Sequence, residues 1–150
     1  MKMRTSLVPM VYVLGLSLVV GVLVLTALPA ASGIDTETVN INPETLNLKS
    51  KGTWITVDIE LPEGYDVEDI DVTTVRVETV PAAWSNVEGN KLMAKFDRQT
   101  VINYIWNRLC HMGIVPLPKE GVEVELTITG KLYDGTPFEG SDTIRVIYQG

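Results

Sequence analysis

The chain has little of what catalytic and metal centres are most often built from: one cysteine, Cys110, and one histidine, His111, among 150 residues. A lone cysteine closes no intrachain disulfide, so stability has to come from an ordinary hydrophobic core, and about 115 residues are enough for one. A single histidine excludes zinc sites built on several imidazoles. Cys110 and His111 are adjacent, but successive residues on a helix point about 100° apart, which works against a thiolate–imidazolium pair. The expectation is a buried free thiol on a helix for Cys110 and favourable charge placement at a helix C-terminus for His111. Positive charge is scarce too: 12 Lys and Arg stand against 19 Asp and Glu, a net charge of −7.

Two of those cations, Lys2 and Arg4, lie in the first six residues, and residues 7–31 that follow are apolar and carry no charge. A basic start before a long apolar run is an export segment, and the basic end stays inside, which places the remainder outside the cytoplasm. A run of about 25 residues is long enough to span a bilayer, whereas the apolar core of a signal peptide is usually shorter. Pro9, Gly15 and Gly21 weaken it as a permanent helix, and Ala30-Ala31-Ser32-Gly33 offers a cleavage site. Residues 1–33 therefore read as a signal peptide or an N-terminal membrane anchor, and residues 34–150 as one folded domain. Membrane contact is expected only through residues 7–31, if they are retained. Without Lys2 and Arg4 the exported part carries roughly −9, which repels nucleic acid and anionic headgroups, so no nucleic-acid partner is expected.

What the exported part does have is strand patterning. In residues 53–61, Ile55, Val57, Ile59 and Leu61 alternate with Trp54, Thr56, Asp58 and Glu60, as in a half-buried antiparallel strand. Pro62-Glu63-Gly64 ends it, and an acidic loop leads to a second alternating strand over residues 73–78. INPETLNL (residues 41–48) and IDVTTVRV (residues 70–77) share a plan: an Asx residue that bonds the following backbone, then a strand with two inward side chains. Residues 34–40 read as a polar linker that becomes strand near Val39. Residues 80–90 read as a loop holding Pro81, Trp84 and Gly89, and residues 91–96 as a strand with Leu92, Ala94 and Phe96 on one face. Asp97 has the chemistry of an N-cap before a helix with Val101, Ile105 and Leu109 on one stripe beside Ile102, stopping near Gly113. Inside a β chain that helix is expected to cover an open end or edge. Val122, Val124, Leu126 and Ile128 alternate with polar residues, Asp134-Gly135 marks a hairpin, and residues 143–148 close the fold with Ile144, Val146 and Tyr148 on one face. The fold class is all-β: an immunoglobulin-like antiparallel β-sandwich of about seven strands with one short helix, behind the hydrophobic export helix.

Three constellations could carry chemistry. Asp134, Glu139 and Asp142 fall within nine residues, and such oxygen-rich loops outside the cell often hold calcium. Against that, calcium usually takes six or more oxygens, and strand alternation would send some of these side chains apart. The acidic loop (Glu63, Asp66, Glu68, Asp69 and Asp71) is open to the same two readings. A paired-carboxylate glycosidase would need a cleft that a small sandwich with short loops does not offer. Aromatics give the last lead: Trp84, Tyr65 and Tyr133 could form a sugar-stacking or partner-binding surface, although Trp84 beside Pro81 reads first as a loop anchor packed on the domain edge.

Three blocks in order, NPETLNLKSKGTWITVDIELPEGYDVEDIDVTTVRV, LMAKFDRQTVI and ELTITGKLYDGTPFEGSDTIRVI, resemble an uncharacterised β-sandwich module of exported archaeal and bacterial proteins, often found beside dockerin or adhesion domains. The resemblance covers about two-thirds of the chain and implies a module without known catalysis. Where related modules carry an Asp-rich, calcium-loop-like insert before the LMAKFDR block, this chain has WSNVEGNK, with Glu88 the only acid. The expected function is a non-catalytic secreted or cell-envelope module for structural or interaction roles, with an envelope protein or polysaccharide as partner. The alternatives are a surface-filament subunit in which residues 34–41 add as a strand to a neighbour's edge, and a small envelope enzyme or accessory carbohydrate binder.

Overall fold

The computed structural model describes residues 32–150; the expected export segment at residues 7–31 lies outside them. In chain order the described residues form β1 (Ile34–Asp35), β2 (Thr38–Asn42), β3 (Thr45–Asn47), β4 (Trp54–Glu60), a 3-10 turn (Val67–Asp69), β5 (Ile70–Val77), β6 (Val80–Pro81), β7 (Trp84–Glu88), β8 (Lys91–Asp97), the helix α1 (Arg98–His111), β9 (Val122–Leu132) and β10 (Pro137–Ile147). The structure is thus mostly β, in two sheets. One has four antiparallel strands in the order β2-β4-β8-β7. The other runs β1-β10-β9-β5-β6, with β3 also on β10. No helix of the described residues is long and apolar enough to cross a membrane.

Alternation decides which face of each strand is buried. Ile55, Val57 and Ile59 of β4 and Leu92, Ala94 and Phe96 of β8 point inward, as expected, and meet Val75, Val77, Leu126, Ile128, Ile144 and Val146 of the other sheet in one core. The outward faces stay polar. The arrangement is sandwich-like. Gly130 makes room in it: directly opposite Phe138 in the β9–β10 pairing, it allows the buried phenyl ring to lie where a Cβ would sit 2.5 Å from the ring's Cζ.

The helix closes one end. The Asp97 carboxylate accepts from the Thr100 backbone N–H at 2.9 Å and from its hydroxyl at 2.7 Å, the N-cap that the sequence suggests. Val101, Ile102, Ile105 and Leu109 are buried. At the first turn Arg98 donates twice to the Trp54 carbonyl, at 3.1 and 2.9 Å, and once to the Ser50 hydroxyl. In the last turn Arg108 donates to the Glu125 carbonyl. The helix is therefore tied to β4 of one sheet and β9 of the other.

Several expectations need correction. Residues 80–90 are not a loop: they hold β6 and β7, and β7 pairs along its whole length with β8 from Trp84↔Lys95 to Glu88↔Lys91. An edge strand buries little, so β7 needs no strong apolar alternation, and Gly89-Asn90 supplies the two-residue hairpin turn. The polar lead is strand almost throughout. β1 lies parallel to β10, the chain then crosses to the other sheet as β2, and it returns to β10 as β3. Residues 34–41, expected as a strand for a neighbour, are thus already paired within their own chain. Asp71 bonds the following backbone as expected, accepting from Thr73 N–H at 3.1 Å, whereas the Asn42 side chain donates to the Asn40 side chain instead. Cys110 is exposed rather than buried. One position past Leu109, it falls on the side of Asn103 and Asn107, away from the apolar stripe. Tyr148 lies beyond the end of β10, about half exposed, and stacks on Trp106 with ring centroids 5.4 Å apart.

Candidate functional site

The residues singled out for calcium do not converge. Asp134 sits in the β9–β10 hairpin, where its Oδ1 accepts from Thr136 N–H at 2.8 Å; the Thr136 backbone and then its hydroxyl hold this carboxyl below the usual range. Glu139 and Asp142 both belong to β10, which starts at Pro137 rather than at Thr143. Three positions apart on one strand, they face opposite sides of the sheet. Asp142 points to the core side, and both its oxygens are engaged: Oδ2 accepts from Ile41 N–H and Oδ1 from Thr143 N–H, each at 2.8 Å. It caps an amide of β2 from the facing sheet. Among the described residues no group of three His, Cys, Asp or Glu side chains is placed to hold a metal ion.

The acidic loop is a strand connection. The Asp66 side chain caps the 3-10 turn by accepting from Glu68 N–H at 2.9 Å, Asp71 takes both the N–H and the hydroxyl of Thr73, and the Asp69 carbonyl accepts from Tyr133 N–H. A carboxylate with more unusual surroundings is Glu78, at the β5–β6 turn with φ 53°, the left-handed region. Its Oε1 accepts from Thr127 N–H at 2.9 Å and its Oε2 from the Tyr104 hydroxyl at 3.1 Å, with Arg108 Nη1 at 3.5 Å. Burial, then the Glu78 hydrogen bond, push the Tyr104 phenol up. These contacts lock α1 to the sheet containing β5 and β9. Reading the sequence alone could not find it, because Glu78 and Thr127 are 49 positions apart.

The three aromatics of the expected binding surface are all exposed: Tyr65 at 48%, Trp84 at 51% and Tyr133 at 70%. They do not form one patch. Tyr133 is tied through its N–H to Asp69, in the connection that also carries Tyr65. Trp84 is at the far end of β7 from the Gly89-Asn90 turn. It is not the packed loop anchor expected beside Pro81. Its ring lies beside Lys95, whose Nζ is 5.6 Å from the ring centroid.

Trp54 joins it. Register pairs Trp84 with Lys95, Lys95 with Thr56, and Trp54 with Asp97, so Trp54 and Trp84 share the outward face of the four-stranded sheet. From strand spacing and rise, with one strand between them and an offset of two residues, their Cα atoms are roughly 12 Å apart. Trp54 is 38% exposed. The signal was in the sequence: Trp54 alternates with Thr56, Asp58 and Glu60, an indole on the polar face of an amphipathic strand. Between and beside the two rings stand Thr56, Asp58, Lys95 and Asn86, with Met93 between Asp58 and Asn86.

No protein-family model matches the chain, and neither a curated protein nor a solved structure matches it.

Proposed function

We propose that this chain is a non-catalytic, exported module of immunoglobulin-like sandwich type that acts at the cell surface or outside the cell by presenting a rigid face to a partner. The observation that carries the reading is the outward face of the four-stranded sheet, where two partly exposed indoles are positioned by strands rather than by loops. With Trp54 38% and Trp84 51% exposed, each indole forgoes part of the burial that is worth about 1.5–3 kcal/mol for a fully buried large apolar side chain, and aromatic residues are enriched where proteins meet partners. Sites built on strands hold their geometry better than sites on loops. The carboxylates support the same reading, since Asp66, Asp71, Asp97, Asp134, Asp142 and Glu78 all accept from backbone N–H groups and serve the fold. The three sequence blocks resemble an exported module of this kind, and the basic, then apolar, N-terminus supports export.

Cell fractionation and activity screening test the reading together. The chain is expected in the envelope or the medium and without hydrolase activity on polysaccharide and peptide substrates. Reproducible hydrolysis that disappears on changing one carboxylate, or a cytoplasmic location, would overturn it.

A further inference from the structure

We infer that the outward face of the four-stranded sheet binds a neutral polysaccharide, with Trp54 and Trp84 as two stacking platforms. The inference rests on the module reading and names the partner of that same face. Sugar rings offer one surface of C–H groups and a rim of hydroxyls that both donate and accept. A complementary protein face therefore needs flat aromatic area and short polar side chains in one plane. This face has both. Trp54 and Trp84 are on it by register, with Lys95 between them, pairing directly with Trp84 and with Thr56.

Thr56, Asp58 and Asn86 face the same way and make no side-chain hydrogen bond within the described residues. In that they differ from Asp66, Asp71, Asp134 and Asp142, each bonded to a backbone amide. They supply a hydroxyl, a carboxylate and an amide, the mixed donor and acceptor set that sugar hydroxyls require. Arg98 steadies the platform by holding the Trp54 carbonyl with two hydrogen bonds from the helix. With Cα atoms roughly 12 Å apart by strand spacing and rise, the two indoles suit a short run of sugar units rather than a single one.

Charge argues against an anionic polymer. Lys95 leans on the Trp84 ring, and Lys91, the other cation on this face, lies 3.8 Å from Glu60. Asp58 and Glu88 add negative charge, so the face has no positive surplus to offer an anionic chain, and the net charge of −7 repels one. A neutral polymer meets no such penalty.

The test uses the full chain with a soluble β-glucan and a galactomannan as neutral probes and alginate as the anionic control, read by tryptophan fluorescence and by retardation in polysaccharide-containing gels. At least one neutral polymer is expected to bind and alginate is not. Trp54→Ala and Trp84→Ala should each weaken binding about tenfold or more, the size expected for loss of one aromatic platform. Trp84→Tyr should retain most of it, and Tyr65→Ala and Tyr133→Ala should leave it unchanged. Circular dichroism of each variant separates loss of the face from loss of the fold. No binding by either neutral polymer, tighter binding to alginate, or Trp variants that bind like the wild type would overturn the inference. Self-association in sedimentation that Trp84→Ala abolishes, without glycan binding, would replace the glycan with a second copy and leave the module reading standing. Shortening of a bound polymer would do the reverse: the glycan face would stand and the non-catalytic reading would fall.

Discussion

Replacing Glu78 probes how the closed end of the fold is held. The residue adopts φ 53°, a left-handed conformation that costs an ordinary residue about 1–2 kcal/mol. Its carboxylate satisfies the Thr127 amide at 2.9 Å and the Tyr104 hydroxyl at 3.1 Å. Each of these bonds contributes about 1–1.5 kcal/mol, low for a charged acceptor because both are only partly buried. The Arg108 contact, at 3.5 Å to a side chain 37% exposed, adds little in solvent. Glu78→Ala should therefore destabilise by about 2–3 kcal/mol. Glu78→Gly loses the same contacts but relieves the backbone, so it should be about 1 kcal/mol more stable than the alanine variant, the inverse of the usual order within an element. Urea unfolding followed by tryptophan fluorescence reads both, as shifts in midpoint at constant slope. An alanine variant as stable as the glycine one would refute the backbone strain, and one within about 0.5 kcal/mol of the wild type would refute the hydrogen-bond contribution.

Other substitutions test other parts of the account. Gly130→Ala should cost about 1–3 kcal/mol, because the buried Phe138 ring has to move to admit a methyl group; a neutral result in thermal unfolding would show that it has somewhere to go. Cys110 should react with a thiol reagent in the native protein at close to its unfolded rate, whereas protection until unfolding would contradict its exposure. Thr100 holds the Asp97 carboxyl below its ordinary 3.8, so that stabilisation is present above this value and is lost as pH falls through the lower folded value. Asp97→Asn should accordingly flatten the acid limb of stability against pH, and an unchanged limb counts against the cap. Tyr104 behaves in the opposite sense: its phenol is raised above 10.0, so its contribution is present below that value and is lost as pH rises through the folded one.

The parts of the fold that were legible are those where one short segment contains its own instructions. β4, β8 and β9 alternate strictly, α1 carries its cap and its stripe, and Asp134-Gly135 sits at the tip of its hairpin. Edge strands were harder. β7 has only Ser85 and Val87 on its inward side, both half-buried, so burial left a weak imprint on WSNVE, and Gly89-Asn90 was the clue. The path of β1, β2 and β3 between sheets was not legible, because parallel pairing with β10 joins residues about a hundred positions apart. The same distance hides the role of Asp142, whose partner Ile41 is 101 positions away. Of the candidate surface, Trp84 stands out in the sequence, whereas the exposed tyrosines Tyr65 and Tyr133 are not its companions. Trp54 is harder to see as a surface residue because it lies within the alternating strand β4.

Hydroxyl-radical footprinting of the full chain, with and without the neutral polysaccharide that binds it, tests the central claim most directly. Protection of Trp54 and Trp84, with Tyr65, Tyr133 and Tyr148 oxidised as before, is the predicted result. Protection of the tyrosines with both indoles unchanged would place the working surface elsewhere and contradict the account.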